Sequence, residues 1–228
     1  GMLEAKRGLL LAISHELRSP LTRARLNAEL LPEEGASAPQ RSALLRDLQE
    51  MGSLVNDLLE SERLAGRHAS LQRESTDLPA LAQGVLHELA ARHARAGEVR
   101  VQTEGDLAAM AIDPARTRLL LRNLLDNALR HGADAAQPLE LHLRRDGPRV
   151  VVTVRDHGPG VSDAQLQRLA EPFYRPDDAR TRAAGGVGLG LTLCRLVTQA
   201  HGGDLSLQQA HPGLRAEATL QLADPSAP

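Results

Sequence analysis

Tryptophan is absent from this 228-residue chain, and one phenylalanine and one tyrosine, the adjacent Phe173 and Tyr174, are all it has of the large aromatics. Its core must therefore be aliphatic, built from Leu, Val and Ala. Cys194 is the single cysteine, which excludes an intramolecular disulfide and a thiolate metal cluster and fits a reducing compartment. In a helical stretch that thiol reads as a small apolar side chain. Charge of one sign is not in surplus either: the net charge is −2, so neither nucleic acid nor an anionic membrane surface is an expected partner. Long apolar runs are missing, and a stretch such as Leu9 to Ile13 falls far below the roughly 20 residues that cross a bilayer. Gly1 ahead of Met2 reads as an expression scar, and the start on a helix leads us to expect preceding protein. The length suits two domains, each with its own core.

What is present begins with SHELRSPL, Ser14 to Leu21. Around it Leu10, Ile13, Leu17, Leu21, Ala24, Ala28 and Leu31 recur at three- and four-residue steps, the mark of a helix with one buried face. His15 lies about 200° round that helix from both Ile13 and Leu17, so its imidazole points to solvent and is open to chemistry. Pro20, five residues on, removes a helical donor and crowds the carbonyl of Glu16, which predicts a kink beside the histidine.

The helix is expected to end near Leu31, before Pro32 and EEGASAP. A second helix carries Leu44, Leu48, Met51, Val55 and Leu58, and the pair reads as an antiparallel hairpin of coiled-coil character. Two helices cannot cover both apolar stripes, so dimerisation into a four-helix bundle is expected. After Leu64 the polar AGRHAS segment reads as a linker. Strands are expected at Val99 to Thr103, Leu139 to Arg144, Val150 to Arg155, Asp204 to Gln208 and Glu217 to Leu222. Helices are expected at Leu78 to Arg95, Pro114 to His131 and Leu189 to His201. That order predicts an α+β two-layer sandwich, with helices laid on one face of a sheet.

Four short patterns in the second half carry chemistry. In NLLDNALRH, Asn123 and Asn127 sit one helical turn apart and share a face; an asparagine oxygen can ligate a hard cation that keeps its waters and takes phosphate oxygens. In DHGPG, Gly158 and Gly160 permit a tight turn after a strand, and Asp156 can accept a hydrogen bond from an amino group such as that of adenine. EPFYRP places Phe173, Tyr174 and Arg175 in an otherwise polar loop, where burial of Phe173, at about 1.5–3 kcal/mol, would pin one end of a lid. Arg175, Arg180 and Arg182 offer charge for phosphates. In GGVGLGL, Gly186, Gly188 and Gly190, with Leu189 between them, open a helix whose free N–H groups favour anions. No Gly-Lys-Ser/Thr follows, so this is no Walker loop, and the spacing is not that of a dinucleotide fold.

Taken together and in this order, the patterns resemble the sensor histidine kinases of two-component signalling over nearly the whole chain. SHELRSPL is similar to their phosphoacceptor box on a dimerisation helix, and the four later patterns to the N, G1, F and G2 boxes of their Bergerat-type ATP-binding domain. Asp113 and the HGG of His201 to Gly203 match as well. The resemblance implies an ATP-dependent, autophosphorylating protein histidine kinase in which His15 accepts the γ-phosphoryl group and Glu16 serves as acid/base. It implies Mg²⁺ on Asn127, Asn123 near the phosphates with Arg130 and His131 close by, and Asp156 on adenine. Gly186, Gly188 and Gly190 would shape the lid, with Phe173 as its hinge anchor. Ser19, where relatives carry threonine or asparagine, bears on phosphatase action.

The same resemblance sets the organisation: a dimerisation and phosphoacceptor hairpin at 1–66, a linker at 67–76, the catalytic domain at 77–224 and a disordered tail at 225–228. Partners would be a second copy of the chain and the receiver domain of a response regulator, docking low on the bundle near Arg23, Arg25 and the start of the second helix and taking the phosphoryl group on an aspartate. The location would be the cytoplasmic side of an inner-membrane bacterial sensor, with no membrane contact by these residues. Transfer within or across the dimer would depend on the hand of the turn at 32–39. Two rivals stand beside this reading. ATPases of the same fold resemble one another in carrying a glutamate one turn before the magnesium asparagine; here that position is Asn123, which cannot act as a base. A silent nucleotide-binding adaptor would not need His15, Glu16, Asn127 and Asp156 together.

Overall fold

In the computed structural model, which describes residues 21–32, 38–65, 70–132, 135–176 and 188–223, helix α1 occupies residues 21–29 and gives way to a turn ahead of Pro32. Helix α2 follows at Ala38–Ala65. Arg41, in its first turn, donates from Nη2 to the carbonyl of Glu29 at 3.0 Å, satisfying one of the carbonyls that end α1. Arg25 and Glu29 pair at 2.9 Å along α1, an exposed i,i+4 contact that adds only a few tenths of a kcal/mol. Ala28, Val55, Leu59 and Leu64 are buried, whereas Leu26, Leu30, Leu31, Leu44 and Met51 stay 43–83% exposed. Of the two apolar stripes, Leu31, Leu44 and Met51 are therefore wet in the single chain.

These helices belong to a compact unit of residues 1–67, and residues 68–228 form a second. The second unit is built on a five-stranded sheet in the order β2–β4–β5–β7–β6, from Arg100–Glu104, Glu140–Asp146, Arg149–Arg155, Leu214–Gln221 and Leu205–Gln209. β2 runs parallel to β4, and every other pairing is antiparallel. Register puts Leu141 opposite Val154, Leu143 opposite Val152, Val152 opposite Ala218 and Val150 opposite Leu220. All of these are buried, so one sheet face is a continuous aliphatic surface. Helices α4 (Pro114–His131) and α6 (Gly190–Ala200) cover it, and α3 (Leu78–Ala90) packs against α4. The expected two-layer sandwich is present.

Four features depart from the sequence reading, one being that β7 begins at Leu214 rather than Glu217. α3 stops at Ala90 rather than Arg95, because the amides of both Arg92 and His93 turn back to the carbonyl of Leu89; a 3₁₀ turn at Ala94–Glu98 takes over. A short antiparallel pair, β1 (Glu74–Thr76) with β3 (Met110–Ile112), was not expected. Residues 72–76, read as linker, thus belong to the second unit: Arg73 donates to the carbonyls of Ala111 at 3.3 Å and Gln221 at 2.8 Å, joining β3 to β7. A one-turn helix, α5 (Asp163–Leu166), starts from Ser162 with a reciprocal bond to Gln165.

Candidate functional site

Helix α4 gathers the candidate side chains. It begins at Asp113, whose carboxylate accepts from the amide of Arg116 at 3.0 Å, with Pro114 at the first helical position where no donor is lost. The second oxygen of Asp113 accepts from the amide of Gln72 at 3.1 Å, so the helix start is fixed to the strand pair beneath it. Buried Leu120, Leu121, Leu124, Leu125, Ala128 and Leu129 hold one face on the sheet and α6. Asn123, Asn127, Arg130 and His131 fall on another arc, with Asn123, Asn127 and Arg130 only partly exposed.

The last turn of α4 meets the DHGPG turn. A side chain at Gly132 would come within 3.4 Å of the Asp156 Cβ, and one at Gly158 would strike the carbonyl of His131. Asp156 is 4% exposed. Its Oδ1 accepts from the amides of Gly158 at 3.0 Å and Leu214 at 3.2 Å, and its own amide donates to the Leu214 carbonyl at 3.0 Å. Burial pushes the Asp156 carboxyl above the usual carboxylate range, and these two amides, with His131 and His157, oppose the shift. Burial likewise lowers His131, with Asp156 pulling it back and Arg130 and Arg175 adding to the fall; the residue nevertheless keeps solvent contact.

Gly213, at φ +91°, lies against the Asp156 backbone with no room for a side chain, and Gly160 rests against Gln209 and Gly213. The β6–β7 hairpin therefore backs the aspartate. The sequence reading missed this support, although the His211-Pro212-Gly213 turn between two alternating runs was its available signal.

The third and fourth motifs meet each other at the start of α6. Gly188 is at φ +79°, and a side chain there would enter the Tyr174 carbonyl; its own carbonyl accepts from the amide of Phe173 at 3.0 Å. Leu189 is buried, and Gly190 approaches Asn123, whose Oδ1 would lie 3.1 Å from an added Cβ. Asn123 also donates back to Leu119 at 2.9 Å. Thr192 donates to Ala170 at 3.2 Å, and Arg168 lies over the Tyr174 ring, 4.1 Å from its centroid. Phe173 corrects the expectation of a buried anchor. It is 62% exposed at φ 63°, because its backbone rather than its ring makes the junction with Gly188.

HGG has a structural use. His201 is fully buried, donates from Nδ1 to Val197 at 2.9 Å and accepts at Nε2 from the amide of Asp113 at 3.3 Å, a pairing that suits the neutral ring. Burial lowers its pKa from the ordinary value, with Arg73 and Arg116 adding to the fall and the Val197 bond and Asp113 opposing it. Two more side chains without a sequence signal reach α4 from the 3₁₀ turn: His93 contacts Asp126 at 2.7 Å, and Arg95 donates to Gly132 at 3.1 Å and Ala135 at 2.7 Å.

The structure thus brings Asn123, Arg130, His131, Asp156, Gly158, Gly160, Phe173, Tyr174, Arg175, Gly188, Leu189 and Gly190 around α4 and the loops that touch it, with Asn127 one turn along from Asn123. His15, Glu16, Ser19, Pro20, Arg180, Arg182 and Gly186 lie outside the described residues.

Residues 5–67 match the family model "His Kinase A (phospho-acceptor) domain", and residues 112–224 match "Histidine kinase-, DNA gyrase B-, and HSP90-like ATPase". The sensor protein SphS of Synechococcus elongatus is 38% identical over 211 residues, covering 88% of this chain and 50% of SphS. Sensor histidine kinase MtrB of Mycolicibacterium paratuberculosis is 33% identical over 199 residues, 85% of this chain and 35% of MtrB. Sensor protein RstB of Escherichia coli is 32% identical over 213 residues, 93% of this chain and 48% of RstB. Among solved structures, full-length ShkA in complex with AMPPNP aligns with a TM-score of 0.74 at 28% identity, over 96% of this chain and 47% of ShkA. Acinetobacter baumannii AdeS, at 20% identity and a TM-score of 0.66 over 92% of this chain and 98% of that one, shares the fold. The chain belongs to the two-component sensor histidine kinases. It spans half or less of the length of the three relatives named.

Proposed function

We propose that this chain transfers the γ-phosphoryl group of ATP to His15 and then to an aspartate of a response-regulator receiver domain. The observation that carries the reading is the junction of Asp156 with the last turn of α4. A buried carboxylate that accepts the amides of Gly158 and Leu214 through Oδ1 gains from a further donor at Oδ2, and an adenine amino group supplies one. Gly190 beside Asn123 at the N-terminus of α6, and the charges of Arg130 and Arg175 near His131, support a triphosphate running along α4.

The donor set suits Mg²⁺. No group of three His, Cys, Asp or Glu side chains is placed to hold a metal among the described residues, but Mg²⁺ ordinarily takes one or two protein oxygens with waters and phosphate oxygens, and the Asn127 amide oxygen provides one. When bound, Mg²⁺ neutralises charge developing on the phosphates. In the transfer, an unprotonated ring nitrogen of His15 attacks the γ-phosphorus as the bond to the ADP oxygen breaks, and the other ring nitrogen gives its proton to Glu16. A carboxylate oxygen of the receiver aspartate then attacks the phosphorus as the N–P bond to His15 breaks, and the proton held by Glu16 returns to the ring to restore the neutral imidazole. Asn123 in place of a carboxylate base supports transfer over hydrolysis.

The hairpin of 1–66 serves as the dimerisation and phosphoacceptor domain and 77–224 as the ATP-binding domain, with 72–76 grouped with the latter and 225–228 a tail. The native protein is read as an inner-membrane sensor with this part in the cytoplasm; among the described residues, no helix is long and apolar enough to cross a membrane. Calorimetric titration tests the site. Asp156→Asn, which turns an acceptor into a donor, is expected to weaken ATP binding at least about tenfold. Unchanged affinity would remove the adenine assignment.

A further inference from the structure

His93 and the 3₁₀ turn that follows it, between α3 and β2, hold the end of α4 in two ways. His93 Nε2 lies 2.7 Å from Asp126 Oδ1, and Asp126 Oδ2 accepts from Arg130 Nη2 at 2.7 Å. Arg95, two residues on, donates to the carbonyls of Gly132, Ala135 and Gln137, so the backbone following Arg130 is held by the same segment.

We propose that His93 is a positioning residue for nucleotide binding, fixing the guanidinium of Arg130 through Asp126; this rests on the reading of Arg130 as a phosphate-side residue. Both oxygens of one carboxylate are engaged, so Asp126 cannot rotate about χ2 without losing a partner. The three side chains are 18%, 28% and 30% exposed, which leaves them only partly screened by water. An i,i+4 Asp–Arg pair alone holds a long arginine weakly. A carboxylate clamped from the far side by an imidazole presents a preset acceptor, and the ordering of Arg130 is done before the ligand arrives. Arg130 lies about 20° round the helix from Asn123 and about 60° from Asn127, with Asp126 on the flank nearer His93.

The test is calorimetric titration of the full chain with ATP and, separately, with adenosine, which has no phosphates. His93→Ala is expected to weaken ATP about three- to tenfold and leave adenosine unchanged. Arg130→Ala should act in the same direction, and the double variant should bind ATP no more weakly than Arg130→Ala alone. His93→Gln, which keeps a donor for Asp126, should return affinity to within about twofold of the parent. Should His93→Ala fail to fold, His93→Leu, which fills the space without a donor, takes its place. ATP affinity unaffected by loss of His93, losses from the two sites that multiply, or an equal loss for adenosine would each overturn the proposal. Failure of the parent chain to bind ATP would instead strike the functional reading beneath it.

Discussion

His201 is fully buried with one ring nitrogen donating and the other accepting, so its environment is built for the neutral ring. Its folded pKa is below the ordinary 6.5, which means that the unfolded chain binds the extra proton first as pH falls. The stability it contributes is complete above pH 6.5 and declines as pH drops from there towards the folded value. Urea unfolding across pH 5–7 should show this acid-side loss shrinking in His201→Gln; an unchanged slope would place the linkage elsewhere. Gly203 gives a second residue-scale case. A side chain there would collide with the carbonyl of Thr219 in β7, so Gly203→Ala is expected to cost about 2–4 kcal/mol in the urea midpoint analysis. The match of HGG to the family therefore reflects, at least in this chain, how α6 is fastened to the sheet.

Among the elements, α4 decides where the site lies. Its start is fixed by Asp113, which accepts from both Arg116 and Gln72, and Asp113→Ala should cost about 2 kcal/mol of stability by urea unfolding: a lost cap plus an amide left unpaired. This start was legible in the sequence, because Asp-Pro before an apolar run is a helix signal that needs no tertiary context. The long strands were legible for a similar reason, since alternation in β4 and β7 and valines in β5 report the buried face directly. β1 and β3 were not, as three residues carry too little pattern and their pairing depends on Arg73 and on partners far along the chain. The site divided the same way. Motifs that place glycines against α4 could be read, whereas His93 and Arg95 gave no local sign because their roles exist only once the 3₁₀ turn has folded beside α4. Phe173 reads as buried from sequence because an isolated aromatic in a polar loop suggests burial, whereas in the fold its backbone joins Gly188 and its ring is exposed.

At the scale of the whole molecule, the first unit leaves Leu31, Leu44 and Met51 of its two apolar stripes in water, a seam that a second copy of the hairpin would cover. Sedimentation equilibrium is expected to give twice the chain mass, and Leu44→Glu combined with Met51→Glu should return a single-chain mass. ATP binding should survive that change, since its residues lie in the second unit. A parent chain that sediments as a monomer would contradict the bundle. The most direct measurement is transfer itself: the chain incubated with ATP labelled at the γ-phosphate and Mg²⁺, then treated with acid or alkali. The account predicts alkali-stable, acid-labile label on the parent, none on His15→Ala and strongly reduced label on Asn127→Ala. Label that persists without His15, or that is indifferent to Asn127, would contradict it.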